Sequence, residues 1–189
     1  PTFEELCKVA SEARVGGMIA GKAGLVHLHM GSGKRMLDPI IRIVKETEIP
    51  IGQFLPTHVT RTSSLLEQSI QFAKMGGNID FTVGGKELHW PLTTRQALKK
   101  TLEEGVLIDQ ITLSSDSNGS MPIFDEKGKV IKLAVGDIQN LYLEWKELVR
   151  DGFPLEGIVR LVTSNPAKRI GVYQTKGSIE EGKDADLLI

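Results

Sequence analysis

The stretch Val26-His27-Leu28-His29-Met30-Gly31-Ser32-Gly33 sets the reading of this chain. It is a short apolar run broken by two histidines at period 2 and closed by glycines, as a strand running into a loop requires. Residues 25–30 are therefore predicted as a strand, and residues 34–46 behind them as a helix. The unit recurs along the chain. Residues 53–57, 78–83 and 110–114 are further predicted strands, with helices expected over 63–74 and 93–104. Gly76-Gly77 and Gly105 close those two helices. The Gly16-Gly17 and Gly84-Gly85 pairs read as helix-ending or loop punctuation. A longer loop with a small hairpin over 122–131 follows the fourth strand, before helices over 136–150 and 154–163. Asn165 is expected to cap a last short helix with Pro166 at its first position. At the start of the chain, Thr2 and Glu5 have the spacing of a capping box.

Strands alternating with helices of this length imply an α/β fold with parallel strands and right-handed crossovers. Four such units fit half of an eight-unit barrel or an open sheet, and the spacing alone does not separate the two. The strand ends favour the barrel. The first strand ends in His29, the second runs into His58, and the fourth runs into Asp116. In a parallel β/α barrel the C-terminal strand ends share one mouth, where such enzymes work. Two imidazoles and a carboxylate gathered there suit a zinc ion with an open water position.

Other polar residues have blander readings. His27 sits deeper in the first strand, and His89 lies in a loop beside Trp90 and Pro91; both read as structural. Arg61, just past His58, is a surface charge unless the mouth binds a carboxylate, which a guanidinium grips in bidentate fashion. Asp116-Ser117-Asn118-Gly119-Ser120 reads as a polar turn, with Ser120 a candidate substrate contact. Gly31-Ser32-Gly33 lacks the spacing and the lysine of a phosphate loop.

Composition narrows the class. The 189 residues, 40% hydrophobic and 25% charged, suffice for a sizeable core. A net charge of −1, with the signs well mixed, gives no bulk case for nucleic acid or membrane binding. The single cysteine, Cys7, excludes an internal disulfide framework and reads as a packing residue of the first helix. No apolar run approaches the ~20 residues of a membrane span. The default expectation is a soluble, cytoplasmic protein. The chain opens at Pro1 without methionine and stops within Asp184-Ala185-Asp186-Leu187-Leu188-Ile189, a run that reads as the start of a strand. A fragment of a longer chain is expected.

Three segments carry a family resemblance: Val26 to Gly31, Leu55-Pro56-Thr57-His58-Val59-Thr60-Arg61, and Thr112 to Ser120. They resemble the isoaspartyl dipeptidases (β-aspartyl peptidases) of the amidohydrolase superfamily. Arg14-Val15-Gly16-Gly17 and Gly182-Lys183-Asp184-Ala185-Asp186-Leu187-Leu188 extend the likeness over essentially the whole chain. The resemblance implies a (β/α)8 TIM-barrel of the metal-dependent hydrolase type. This chain would cover its second half in residues 1–175, and residues 176–189 would begin the return to a small β-domain. It further implies a binuclear zinc centre. His29 and His58 would bind one zinc, and Asp116 would bind the other and act as the catalytic general base. Arg61 and Ser120 would bind substrate, with no role for His27 or His89. The implied reaction is hydrolysis of β-aspartyl dipeptides by a zinc-activated hydroxide, in a protein forming homo-oligomers. The first-strand His-x-His pair and the bridging lysine of that family are absent from this chain, so the isolated piece is expected to be inactive. Half a barrel also exposes strand edges that invite pairing with another copy. The competing readings are a dihydroorotase-like or N-acyl-amino-acid deacylase-like amidohydrolase, and a half-barrel module without catalysis.

Overall fold

The computed structural model describes residues 1–83, 91–125 and 129–187. The expectations for Gly84-Gly85 and His89 lie outside these residues. Helix α1 (Phe3–Ala20) opens with the expected capping box, Thr2 accepting from the Glu5 backbone and Glu5 reaching back to Thr2. Gly16 and Gly17 do not end it, as the sequence suggested. The helix runs on to a left-handed Gly21, and Gly17 lets Gly24 pass so closely that a Cβ would stand 2.5 Å from the Gly24 Cα. Cys7 lies on this helix, half-buried against the core.

Four β/α units follow. They are β1 (Val26–His29) with α2 (Asp38–Glu46), β2 (Phe54–Thr57) with α3 (Ser63–Lys74), and β3 (Ile79–Thr82) with α4 (Thr94–Glu103). The fourth, β4 (Ile111–Ser114), is followed by a hairpin of β5 (Ser120–Phe124) and β6 (Val130–Val135). The chain then forms α5 (Gln139–Arg150), α6 (Leu155–Val162) and α7 (Ser164–Arg169). Helix α2 starts four residues later than expected. Pro39, which has no N–H to give, belongs in a first turn, and Met36 takes a left-handed φ of 41°.

Strands β1 and β2 pair in parallel with His29 opposite Thr57, and β3 and β4 pair in parallel with Thr82 opposite Ser114. Between β2 and β3 the described connection is made by side chains: the Thr57 hydroxyl bonds Asp80 Oδ2 at 2.6 Å and Thr82 Oγ1 at 3.0 Å. Period 2 divides each strand into two rows. Phe54, Ile79, Phe81, Ile111 and Leu113 are buried in the hydrophobic core with Leu65, Phe72 and Leu98 from the helices. Burying each of the large side chains contributes roughly 1.5–3 kcal/mol. The other row is polar apart from Leu55: His27, His29, Thr57, Asp80, Thr82, Thr112 and Ser114.

Two further expectations are corrected. Asn165 does not cap the last helix; it lies within α7, fully buried, and its amide donates to the carbonyls of Ile108 (2.9 Å) and Ile111 (2.8 Å). It thus clamps the entry to β4 rather than freeing a helix end. The segment Asp184–Leu187, expected to begin a strand, carries none among the described residues. It is held instead by Lys176, which pairs with Asp184 and Asp186. No helix among the described residues is long and apolar enough to cross a membrane.

Candidate metal centre

β1 sets His27 and His29 on one row, and the chain leaves β2 and β4 through sharp turns. His58 directly follows β2 with φ 60°, and Asp116 lies two residues beyond β4 with φ 47°. Left-handed backbone at a residue with a Cβ costs on the order of 1–3 kcal/mol and persists where the surroundings impose it. Here the two strained positions aim two side chains at one point. His29 Nδ1 stands 2.9 Å from His58 Nε2, and Asp116 Oδ2 stands 3.9 Å from the same nitrogen. The ligand atoms of the three residues all lie within 4.8 Å of one another. The sequence trio is therefore brought together.

His58 is buried and His29 is exposed. Burial lowers the pKa of His58, and the charge of Arg61 lowers it further against the upward pull of Asp116. The neutral imidazole that results is the form that ligates metals. His58 Nδ1 is taken up by Thr82 Oγ1 at 2.8 Å, which leaves Nε2 to face the cluster. Two imidazole nitrogens and a carboxylate oxygen, converging within 4.8 Å, fit zinc by donor chemistry.

Arg61 closes a turn on His58, its backbone N–H donating to the His58 carbonyl at 3.0 Å, while its Nε is buried and has no hydrogen-bond partner among the described residues. An orphaned buried donor beside the cluster suits an incoming acceptor. Ser120 is not part of a turn, as expected. It opens β5 opposite Val135, exposed, and its hydroxyl makes no hydrogen bond among the described residues. The loop between Asp116 and Ser120 is sealed by Asn118 N–H to the Gly136 carbonyl and Gly136 N–H to the Gly119 carbonyl. His27 stays outside the trio, its ring 5.3 Å from that of His29. Partial burial lowers its pKa, against Asp80, which raises it.

Sequence reasoning missed three residues that shape this site. Thr82 holds His58, Asp80 lies behind Thr82 and Thr57, and Gly119 leaves room for the Asp116 carboxylate. The signal for Asp80 was available: an acidic residue in Ile79-Asp80-Phe81-Thr82 falls on the polar row of a buried strand, where it needs partners.

Residues 16–189 match the model of the amidohydrolase family. The β-aspartyl dipeptidase of the thermophilic, keratin-degrading Fervidobacterium islandicum AW-1, solved with the β-Asp-Leu dipeptide, is 40% identical with a TM-score of 0.87. The match covers 98% of this chain and 48% of that one. A second structure of β-aspartyl dipeptidase from the same organism is 36% identical, with a TM-score of 0.82 and coverage of 98% and 46%. An amidohydrolase from Thermotoga maritima MSB8 is 26% identical with a TM-score of 0.57, over 92% of this chain and 39% of its own. The chain thus spans about half the length of the two dipeptidase structures it matches.

Proposed function

Since this chain belongs to the amidohydrolase family, we propose that it supplies part of the active site of a metal-dependent hydrolase that cleaves β-aspartyl dipeptides. The observation that carries this reading is the convergence of His29, His58 and Asp116 from three strand ends, with an Arg61 Nε that has no partner among the described residues. The likeness to dipeptidase structures, one solved with β-Asp-Leu, supports the substrate class.

In this reading the four β/α units are the second half of a (β/α)8 barrel, residues 1–175, and residues 176–189 lead toward a small β-domain. The exposed His29 ring fits a site whose remaining ligands come from the other half. His29 and His58 would hold one zinc and Asp116 a second. Bound zinc supplies Lewis acidity toward a carbonyl oxygen and lowers the pKa of water. The chain's own residues do the rest. Asp116, with about a quarter of its side chain exposed (24%), accepts a proton at its carboxylate and returns it to the departing amine. Arg61 grips the free carboxylate that every β-aspartyl dipeptide carries beside its scissile bond, satisfying its buried Nε. Ser120 offers a hydroxyl to the substrate's polar groups from the edge of β5. Self-association as a homo-oligomer belongs to the same reading.

The test is zinc content and β-aspartyl-leucine hydrolysis by the full-length protein, with His58→Ala alongside. About two zinc ions per chain, with hydrolysis lost in the variant, support the reading. Zinc binding without cleavage would move the substrate to another amidohydrolase type. The absence of both zinc and cleavage would sink the metal assignment.

A further inference from the structure

Asp80 lies on the polar row of β3, 2% exposed, and does not touch His29, His58 or Asp116 through a described hydrogen bond. Its carboxylate takes three hydroxyls. Thr112 donates to Oδ1 at 2.5 Å, and Thr57 and Ser114 donate to Oδ2 at 2.6 and 2.5 Å. Three hydroxyl donors directed at one carboxyl group suit the ionised form, which only accepts.

The direction of every other bond follows by elimination. A threonine hydroxyl has one proton to give. Thr57 gives its proton to Asp80, so toward Thr82, at 3.0 Å, it only accepts. Thr82 must therefore donate to Thr57, and toward His58 Nδ1, at 2.8 Å, it in turn only accepts. His58 Nδ1 is left as the donor. In a neutral imidazole a proton on Nδ1 means a bare lone pair on Nε2, the atom that faces His29 and Asp116.

We propose that Asp80 is a positioning residue for the metal centre, setting the His58 tautomer through a directed relay of two hydroxyls, Thr57 and Thr82. Carboxylates commonly orient ligating histidines directly; here the carboxylate acts across three hydrogen bonds and from a different strand. The relay also explains why the polar row of β2 and β3 carries threonines at 57 and 82. A valine would keep the β-branched shape but break the chain of donors. Without the relay, His58 would populate both neutral tautomers, and the fraction with a proton on Nε2 could not ligate.

The proposal rests on the reading of His58 as a metal ligand, and its test separates the two. The first measurement is the 15N spectrum of the His58 ring in the metal-free, full-length protein. The relay requires a protonated Nδ1 and an unprotonated Nε2; a proton on Nε2 overturns it, whatever metal does. The second is zinc affinity for Thr82→Val and Asp80→Asn, with Thr82→Ser as the conservative rescue. Loss of about 10–100-fold in affinity, with the Nε2–H tautomer appearing and Thr82→Ser near the parent, supports the relay. Parent-like affinity and tautomer in Thr82→Val would overturn it. Should the valine variant fail to fold, the parent spectrum alone decides. A parent that binds no zinc but keeps the Nδ1–H tautomer would remove the metal reading and leave the relay as a structural network only.

Discussion

Gly119→Ala is the sharpest probe of how closely Asp116 is fitted. A Cβ at residue 119 would stand 2.7 Å from Asp116 Oδ1, 2.8 Å from its Cγ and 2.9 Å from its carbonyl oxygen. Ordinary contact begins at 3.4 Å, so the carboxylate must retreat by about 0.7 Å or the loop must open. Opening the loop is resisted, because Gly119 accepts from Gly136 N–H at 3.0 Å and Asn118 donates back at 2.9 Å. The carboxylate can turn aside, but the Asp116 carbonyl oxygen at 2.9 Å is backbone, so relief also takes a shift of the turn that holds Asp116 in its left-handed conformation. A functional group has to be held within about 0.5 Å of productive geometry, and a displacement near 1 Å costs on the order of 100-fold. The expected result is a 10–100-fold loss in β-aspartyl-leucine turnover, or in zinc affinity, with a folding penalty of roughly 1–3 kcal/mol. Gly31→Ala is the control, since a Cβ there meets nothing within 4 Å. Isothermal titration with zinc, hydrolysis rates and thermal melts on both variants complete the assay. Parent-like affinity and turnover in Gly119→Ala would refute the placement of Asp116 in the working site.

Asn165→Ala should cost about 1–3 kcal/mol, read by denaturant melts, because it strands the buried carbonyls of Ile108 and Ile111 that the amide now serves. Glu144, half-buried on α5, has its pKa raised by burial, against a hydrogen bond from Thr94. A raised carboxyl contributes stability that is fully present below its unfolded value of 4.5 and lost as pH rises through its folded value. Glu144→Gln should therefore stabilise the protein at neutral pH and do little near pH 4, and an equal effect at both would contradict the assignment. Arg61→Lys should raise KM for β-aspartyl-leucine by roughly 10-fold or more, because an ammonium cannot make the bidentate grip; an unchanged KM would exclude Arg61 from substrate binding.

The β/α order was legible because each strand is a short run bounded by glycines or turn residues and each helix has a readable stop, such as Gly76 with φ 96° and Gly105 with φ 87°. The convergence of His29, His58 and Asp116 was legible for a related reason. A histidine or aspartate at or just past a strand end has few structural uses, and three of them, at the ends of β1, β2 and β4, restrict each other. What local reading lost was anything settled by partners far along the chain. Asn165 next to Pro166 has the local form of a cap, but its amide is claimed by carbonyls 54 and 57 residues away. Gly17 has the form of a helix stop, but it is there because Gly24 must pass. Asp80 is the strongest case. Taken locally it is a carboxylate misplaced in a buried strand, and its three hydroxyl partners come from β2 and β4, 23 to 34 residues away. An acidic residue on the polar row of such a strand is costly unless nearby strands supply donors. The three threonines and the serine that surround it therefore form one set with it. Each hydroxyl points its proton toward Asp80 or along the chain to it, so the network has a direction as well as a location. That direction ends on His58 Nδ1, and a network that only neutralised a buried charge would have no need to extend that far.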